Sequence, residues 1–313
     1  MNYKHYYSVK PFIPRWLQLA LRRRLVSFQR KRYESAWPID GEAGTPPPSW
    51  SGWPGNKQFA LVLTHDVETG RGQEKCLAVA FLEKTLGFRS SFNFVPLRYP
   101  GFPELHNYLI ENGFEVGVHG LYHDGKYYSS RTIFEKRAAK INDYLKEWQA
   151  VGFRTPSMDH NLEWIHDLHV KYDSSTFDTD PFEPNPEGMK TIFPFLVSAG
   201  ENGKGYIELP YTLPQDFTLF VIMKEKNIDI WKKKLKWVAE HNGMALVITH
   251  PDYMNFDLPR PSSEQYPWHY YSEFLQHVKD EYGGRYWHVL PKEMASFWSE
   301  NLKGNNDNLA RAV

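Results

Sequence analysis

The sequence predicts an α/β protein built on a parallel sheet, either a barrel or a doubly wound sheet. Two observations carry this. Short apolar runs alternate with helical patterns closed by glycine, and such repeated β–α units imply parallel strands. Polar, metal-capable residues also recur just after the apolar runs, where the C-terminal ends of parallel strands gather. Taken in order, 59–64 is the first strand, followed by a helix over about 73–86 that Gly87 stops. A strand at 91–95, a helix near 103–112 ending at Gly113 and a strand at 114–118 come next. A long helix spans about 132–149, then short strands are expected at 153–154, 171–174 and 206–209. The helix 229–241 ends at Gly243 and feeds the strand 244–249; 264–282, 286–290 and 292–302 close the series as helix, strand and helix.

Composition bounds the function. The chain has 313 residues, 41% of them apolar, enough for a sizeable core. Its 37 Lys and Arg balance 37 Asp and Glu. That balance lacks the basic excess of a nucleic-acid binder, so no nucleic-acid partner is expected. A lone cysteine, Cys76, excludes a disulfide framework and a Cys-rich zinc site. No apolar run approaches the ~18 residues of a spanning helix. No signal-peptide core opens the sequence, which sets a cytoplasmic expectation.

The ends differ from the middle. Residues 1–33 carry nine Lys or Arg and no acid, with Trp16, Leu17, Leu19, Leu21, Leu25 and Phe28 set among the arginines. Such a segment suits either an anionic membrane surface or a helix packed on the domain with its charges in water. The expected organisation is a basic amphipathic segment 1–36, a Pro/Gly-rich linker 37–56, a single catalytic domain 57–303 and a flexible tail 304–313.

The chemistry gathers after the strands. Asp66 and Glu68 stand two apart, so on a strand both face one side while His65 and Val67 face the other. Two adjoining carboxylates raise one another's pKa unless a cation separates them, and a divalent metal would accept one and leave the other as a base. His119 and His123 have a spacing that brings two imidazoles to one ion. His250 follows the apolar run 245–249 and suits a neutral-pH acid, with Asp173 as its orienting carboxylate and Asp178 and Asp180 as competitors. Arg154 is placed to pair with Asp66. No serine elbow, phosphate loop or dinucleotide fingerprint is present.

In order and spacing these clusters resemble the five motifs of the polysaccharide deacetylase (NodB homology) family over roughly residues 58–252. Leu63-Thr64-His65-Asp66-Val67-Glu68 resembles the first motif, His119-x3-His123 the histidine pair, Phe153-Arg154-Thr155-Pro156 the Arg-x-Pro motif, Tyr172-Asp173-Ser174-Ser175 the fourth and Ile248-Thr249-His250 the fifth. The resemblance implies a distorted (β/α)7 barrel that removes acetyl groups from N-acetylated sugars with a divalent metal, most often zinc, with cobalt or nickel as alternatives. It makes Asp66 the base, Arg154 its positioning partner, His250 the acid, and His119 and His123 ligands. Val67 stands where the family's second Asp binds metal, so the carboxylate ligand is expected one residue on, at Glu68.

A backbone N–H near Tyr122 or Tyr211 is a candidate oxyanion donor. The aromatic segment after His250 (Tyr253, Phe256, Tyr266, Trp268, Tyr270 and Tyr271) either stacks on a sugar or pins a loop, and Trp268 is its expected sugar contact. The expected substrate is an acylated amino sugar or lipid-linked glycan at the inner membrane face, with peripheral contact through residues 1–33. Hydrolysis of other linear or cyclic amides on the same barrel, and non-catalytic carbohydrate binding, are the competing readings.

Overall fold

The computed structural model describes residues 14–48, 50–199, 205–256 and 262–310, the side chains of 303–310 excepted. Its centre is β1, Phe59–Val67, buried along its whole length. A strand covered on both faces reads as one continuous apolar run, which is why it was visible in the sequence. After β1 come α2 (Gly70–Leu86), β2 (Ser91–Phe94), α3 (Pro103–Glu111), β3 (Glu115–His119), α4 (Arg131–Glu147) and β4 (Gly152–Arg154); α1 precedes them at Arg15–Arg32. Then follow β5 (Tyr172–Asp173), β6 (Phe195–Val197), β7 (Tyr206–Glu208), α5 (Asp229–Glu240) and β8 (Met244–Thr249). β9 (Met254–Asn255), β10 (Tyr266–Pro267), α6 (His269–Tyr282), β11 (Tyr286–His288) and α7 (Pro291–Ala310) complete the chain.

Local chemistry explains several boundaries. The Thr69 hydroxyl caps α2, and Gly87 ends it at φ 82°, a left-handed conformation that favours glycine. The Ser130 hydroxyl caps α4 by accepting from the Ile133 N–H. α6 starts later than its apolar pattern because Tyr266 and Pro267 pair in parallel with Met254 and Asn255. A residue before proline avoids the helical region.

The sheet runs β11-β1-β2-β3-β4-β5-β7-β6, with β8 also on β1. Only β6 on β7 is antiparallel among these pairings. Curled and flanked by helices, it is a distorted β/α barrel. The irregular segment after β7 joins it to β8: the Thr212 and Leu213 N–H groups donate to Leu246 O, and the Leu246 N–H donates to the Thr212 hydroxyl.

Two segments differ from expectation. Residues 37–48 and 50–56 form a packed strap with short 3-10 turns at Gly41–Gly44 and Pro54–Asn56. Trp37, Ala43 and Trp53 are buried, the Trp53 indole N–H donates to Asn242 O at 2.8 Å, and Trp50 stacks on Trp298. Prolines and glycines forbid regular structure there, yet they do not prevent aromatic anchoring, worth about 1.5–3 kcal/mol per large buried side chain. At the other end, α7 continues to Ala310, where a loose tail from Gly304 was expected. Residues 1–13 of the basic segment and 311–313 lie outside the described residues.

Candidate metal centre and active-site cleft

The strand ends deliver their polar residues to one cleft of about 1080 Å³, lined among others by Asp66, Glu68, His119, His123, His250 and Tyr253. Alternation along β1 works as the sequence predicts. His65 points outward, bonded to Thr249 and to Glu83 of α2, while Thr64 and Asp66 point inward.

Asp66 is buried and tightly held. Its Oδ1 accepts from Arg154 Nη1 and from Asn93 Nδ2, both at 2.9 Å. Oδ2 lies 3.9 Å from His119 Nδ1. Arg154 is itself fixed, donating to Ser174 O, the Ser174 hydroxyl and the Thr64 hydroxyl. Burial pushes the Asp66 carboxyl up, but the charge of Arg154, helped by His250 and the Asn93 hydrogen bond, outweighs it and holds the group well below the usual carboxylate range.

Glu68, His119 and His123 each offer one ligand atom, all within 4.8 Å of one another. His123 Nε2 is 2.9 Å from Glu68 Oε1, and Glu68 Oε2 accepts from the Tyr253 hydroxyl at 2.8 Å. The Glu68 N–H donates to Asp252 Oδ2. His119 Nδ1 sits 3.1 Å from Arg154 O; since a carbonyl only accepts, Nδ1 carries the proton and Nε2 keeps its lone pair. Burial lowers the His119 pKa to about 4, so the ring is neutral. Two imidazole nitrogens and one carboxylate oxygen, with Arg154 O behind His119, are a donor set that fits a divalent metal such as zinc. Val67, in contrast, is wholly buried.

His250 has a partner the sequence did not reveal. Its Nδ1 is 2.6 Å from Asp216 Oδ1, and its N–H donates to Asp216 Oδ2 at 2.8 Å. Tyr266 also donates to Asp216, which is fully buried and caps the π-helical turn Phe217–Ile222 through the Phe217 N–H. Against the lowering effect of burial, Asp216 is the first cause that raises His250 to about 10.

Asp173 is therefore not the carboxylate at His250. It pairs in register with Glu208 across β5 and β7 and accepts from the Ser175 hydroxyl. Burial raises both carboxyls, and Asp173 Oδ2 and Glu208 Oε2 are buried without a hydrogen-bond partner. The competitors are also engaged elsewhere, Asp178 with Lys234 and Asp180 with Tyr211.

The expected substrate contacts are corrected too. Tyr211 is buried, its hydroxyl donates to Asp180 and its N–H to Thr176 O, so neither reaches a substrate. Tyr122 is 38% exposed, its ring lies under the Arg137 guanidinium, and it is not among the cleft-lining residues. Trp268 stacks on Phe256, likewise outside it. The aromatic rings that do line the cleft are Phe217 and Tyr253, 4.7 Å apart. Tyr266 and Tyr271 pin their segment to Asp216 and Glu83.

Comparison with protein-family models and with curated proteins found no match. Solved structures do match. A probable polysaccharide deacetylase from Pseudomonas aeruginosa PAO1 superposes with TM-score 0.62 at 16% identity, over 84% of this chain and 98% of that one. A candidate polysaccharide deacetylase from Mycobacterium smegmatis gives TM-score 0.55 at 17% identity, over 81% of this chain and 94% of that one. The fold is that of the polysaccharide deacetylases. Puue allantoinase shares it, with TM-score 0.60 at 15% identity over 84% of this chain and 97% of that one. Within the polysaccharide deacetylase fold, the cleft described above lies at the C-terminal ends of the parallel strands, where β/α barrels place their active sites.

Proposed function

We propose that this protein is a metal-dependent hydrolase that removes an acyl group, acetyl or formyl, from an N-acylated amino sugar or glycan precursor. The carrying observation is that one cleft holds a two-histidine, one-carboxylate donor set between an Arg-held Asp66 and an Asp-held His250. Glu68, His119 and His123 would hold the ion, zinc by donor type, with cobalt or nickel as substitutes. When bound, it supplies Lewis acidity, polarising the acyl carbonyl and making water acidic enough for a weak base.

The chain's own residues do the rest. Asp66, kept ionised by Arg154, accepts the proton of the attacking water. Arg154 and Asn93 leave only Oδ2 free for that task. His250, protonated because Asp216 stabilises its cation, delivers a proton to the amine as the C–N bond breaks. Phe217 and Tyr253 offer ring faces that suit the apolar side of a sugar. Location belongs to the same proposal: a cytoplasmic protein meeting a lipid-linked acylamino sugar at the inner membrane face, with its basic N-terminal segment toward the lipid.

Acyl release from N-acetylated glucosamine oligomers and nucleotide-linked acetamido sugars, measured after chelation and zinc reconstitution, tests the reading. Zinc-dependent acetate release is expected. The likeness to Puue allantoinase favours a second reading, hydrolysis of a cyclic amide. Turnover of allantoin with none of the sugars would select it, and sugar binding without any turnover would overturn both.

A further inference from the structure

α1 has two faces with different duties. Leu19 and Val26, seven residues apart, are buried against the domain. The arginines of that side are spent on the domain: Arg15 pairs with Glu264, Arg23 donates to Val221 O and Ser263 O, and Arg30 pairs with Glu225. The opposite side leaves Leu21 54%, Leu25 57% and Phe28 79% exposed. Arg24, Lys31 and Arg32, also exposed, flank this apolar strip.

We propose that this outward face docks the protein on an anionic lipid bilayer. An apolar strip edged by basic side chains, on a helix too polar to span, is the pattern of a helix lying in a membrane interface. No helix among the described residues is long and apolar enough to cross a membrane. The charge selects the occupant: residues 1–33 hold no acid, so anionic headgroups complement the basic flanks. A two-fold contact with a second copy would instead press this basic face against itself.

The same helix borders the cleft, since Arg15 and Arg22 are among the cleft-lining residues. Docking therefore sets the cleft beside the bilayer, within reach of an acylated amino sugar carried on a lipid; this second step rests on the proposed deacylase reading. The docking step does not, because it is measured without turnover.

The test is flotation of the full chain with phosphatidylglycerol–phosphatidylcholine vesicles and with phosphatidylcholine alone. Two variants accompany the wild type, Leu21→Ser/Leu25→Ser/Phe28→Ser and Arg24→Glu/Lys31→Glu/Arg32→Glu. All six substituted side chains are exposed and outside the cleft, so thermal stability and turnover of a water-soluble acetamido sugar stay unchanged. The wild type is expected to float only with anionic vesicles and to be released by salt, and each variant to bind about tenfold more weakly or worse. Equal flotation of wild type and variants, or no flotation of the wild type, overturns the proposal. A wild-type dimer that the variants dissociate, without vesicle binding, would assign the face to a second copy instead.

Discussion

Asp66 and His250 face the same cleft with their proton affinities driven in opposite directions, one by Arg154 and one by Asp216. That split is what a base and an acid need when they work together. Asp66→Asn and His250→Ala should each lower kcat by about 10²–10⁴ in steady-state assays while metal content stays at the wild-type level. Asp216→Asn should move the alkaline limb of the kcat/KM profile to lower pH. In the proposed mechanism the working form of His250 is protonated, so activity should be lost as pH rises through its pKa, and loss of the Asp216 charge should lower that pKa. A limb that does not move would remove Asp216 from the acid. Asp66, Glu68, His119, His123, Arg154 and His250 were candidates in the sequence because each lies at or just beyond the C-terminal end of a strand. It hid Asp216, which hangs from an irregular segment ahead of a π-helical turn and has no periodicity to place it. Asp173 misled for the converse reason: it ends a strand, but Glu208 on the neighbouring strand takes its side chain.

The elements brace the site from behind. Asp252, just after β8, accepts from the Glu68 N–H and the Thr69 hydroxyl, and it presses so closely on α2 that a Cβ at residue 72 would lie 2.1 Å from its Oδ2. Gly72→Ala should therefore displace Asp252 and weaken zinc affinity by about 10–100-fold, as loss of an outer partner of a ligand does; competition with a chromophoric chelator measures this. On the outer face, Glu83 of α2 collects His65, Ser90 and Tyr271, all buried. Glu83→Ala strands these groups and should cost about 3 kcal/mol or more in urea unfolding. At this scale β8 was legible to the residue, since 244–249 was expected and Met244–Thr249 is found. β6 and the β9–β10 pair were not, because two- and three-residue strands carry too few alternations to read.

The whole molecule stores acidity. Burial raises Glu115 to about 7 and Glu183 to about 8, and Asp216 brings His250 to about 10 against its burial. Between pH 7 and 9 all three groups bind more protons folded than unfolded. Stability should thus fall as pH rises through this window, and the melting temperature of the metal-free protein should be lower at pH 9 than at pH 7. A flat or rising trend would contradict the raised proton affinities of these groups. The barrel itself was readable from the alternation of runs, and the strap was not, because composition reports the lack of regular structure without reporting whether aromatics anchor it. For α1 the sequence offered packing or membrane contact as alternatives; the structure buries Leu19 and Val26 and leaves Leu21, Leu25 and Phe28 exposed.

The central claim is that Glu68, one residue beyond Val67, completes a metal site with His119 and His123. Metal content by plasma mass spectrometry, on wild type beside Glu68→Ala, His119→Ala and Asp66→Asn, tests it most directly. The account predicts near-stoichiometric metal in the wild type and in Asp66→Asn, and its loss in the other two. Full metal in Glu68→Ala, or none in the wild type after reconstitution with zinc, cobalt or nickel, would contradict it.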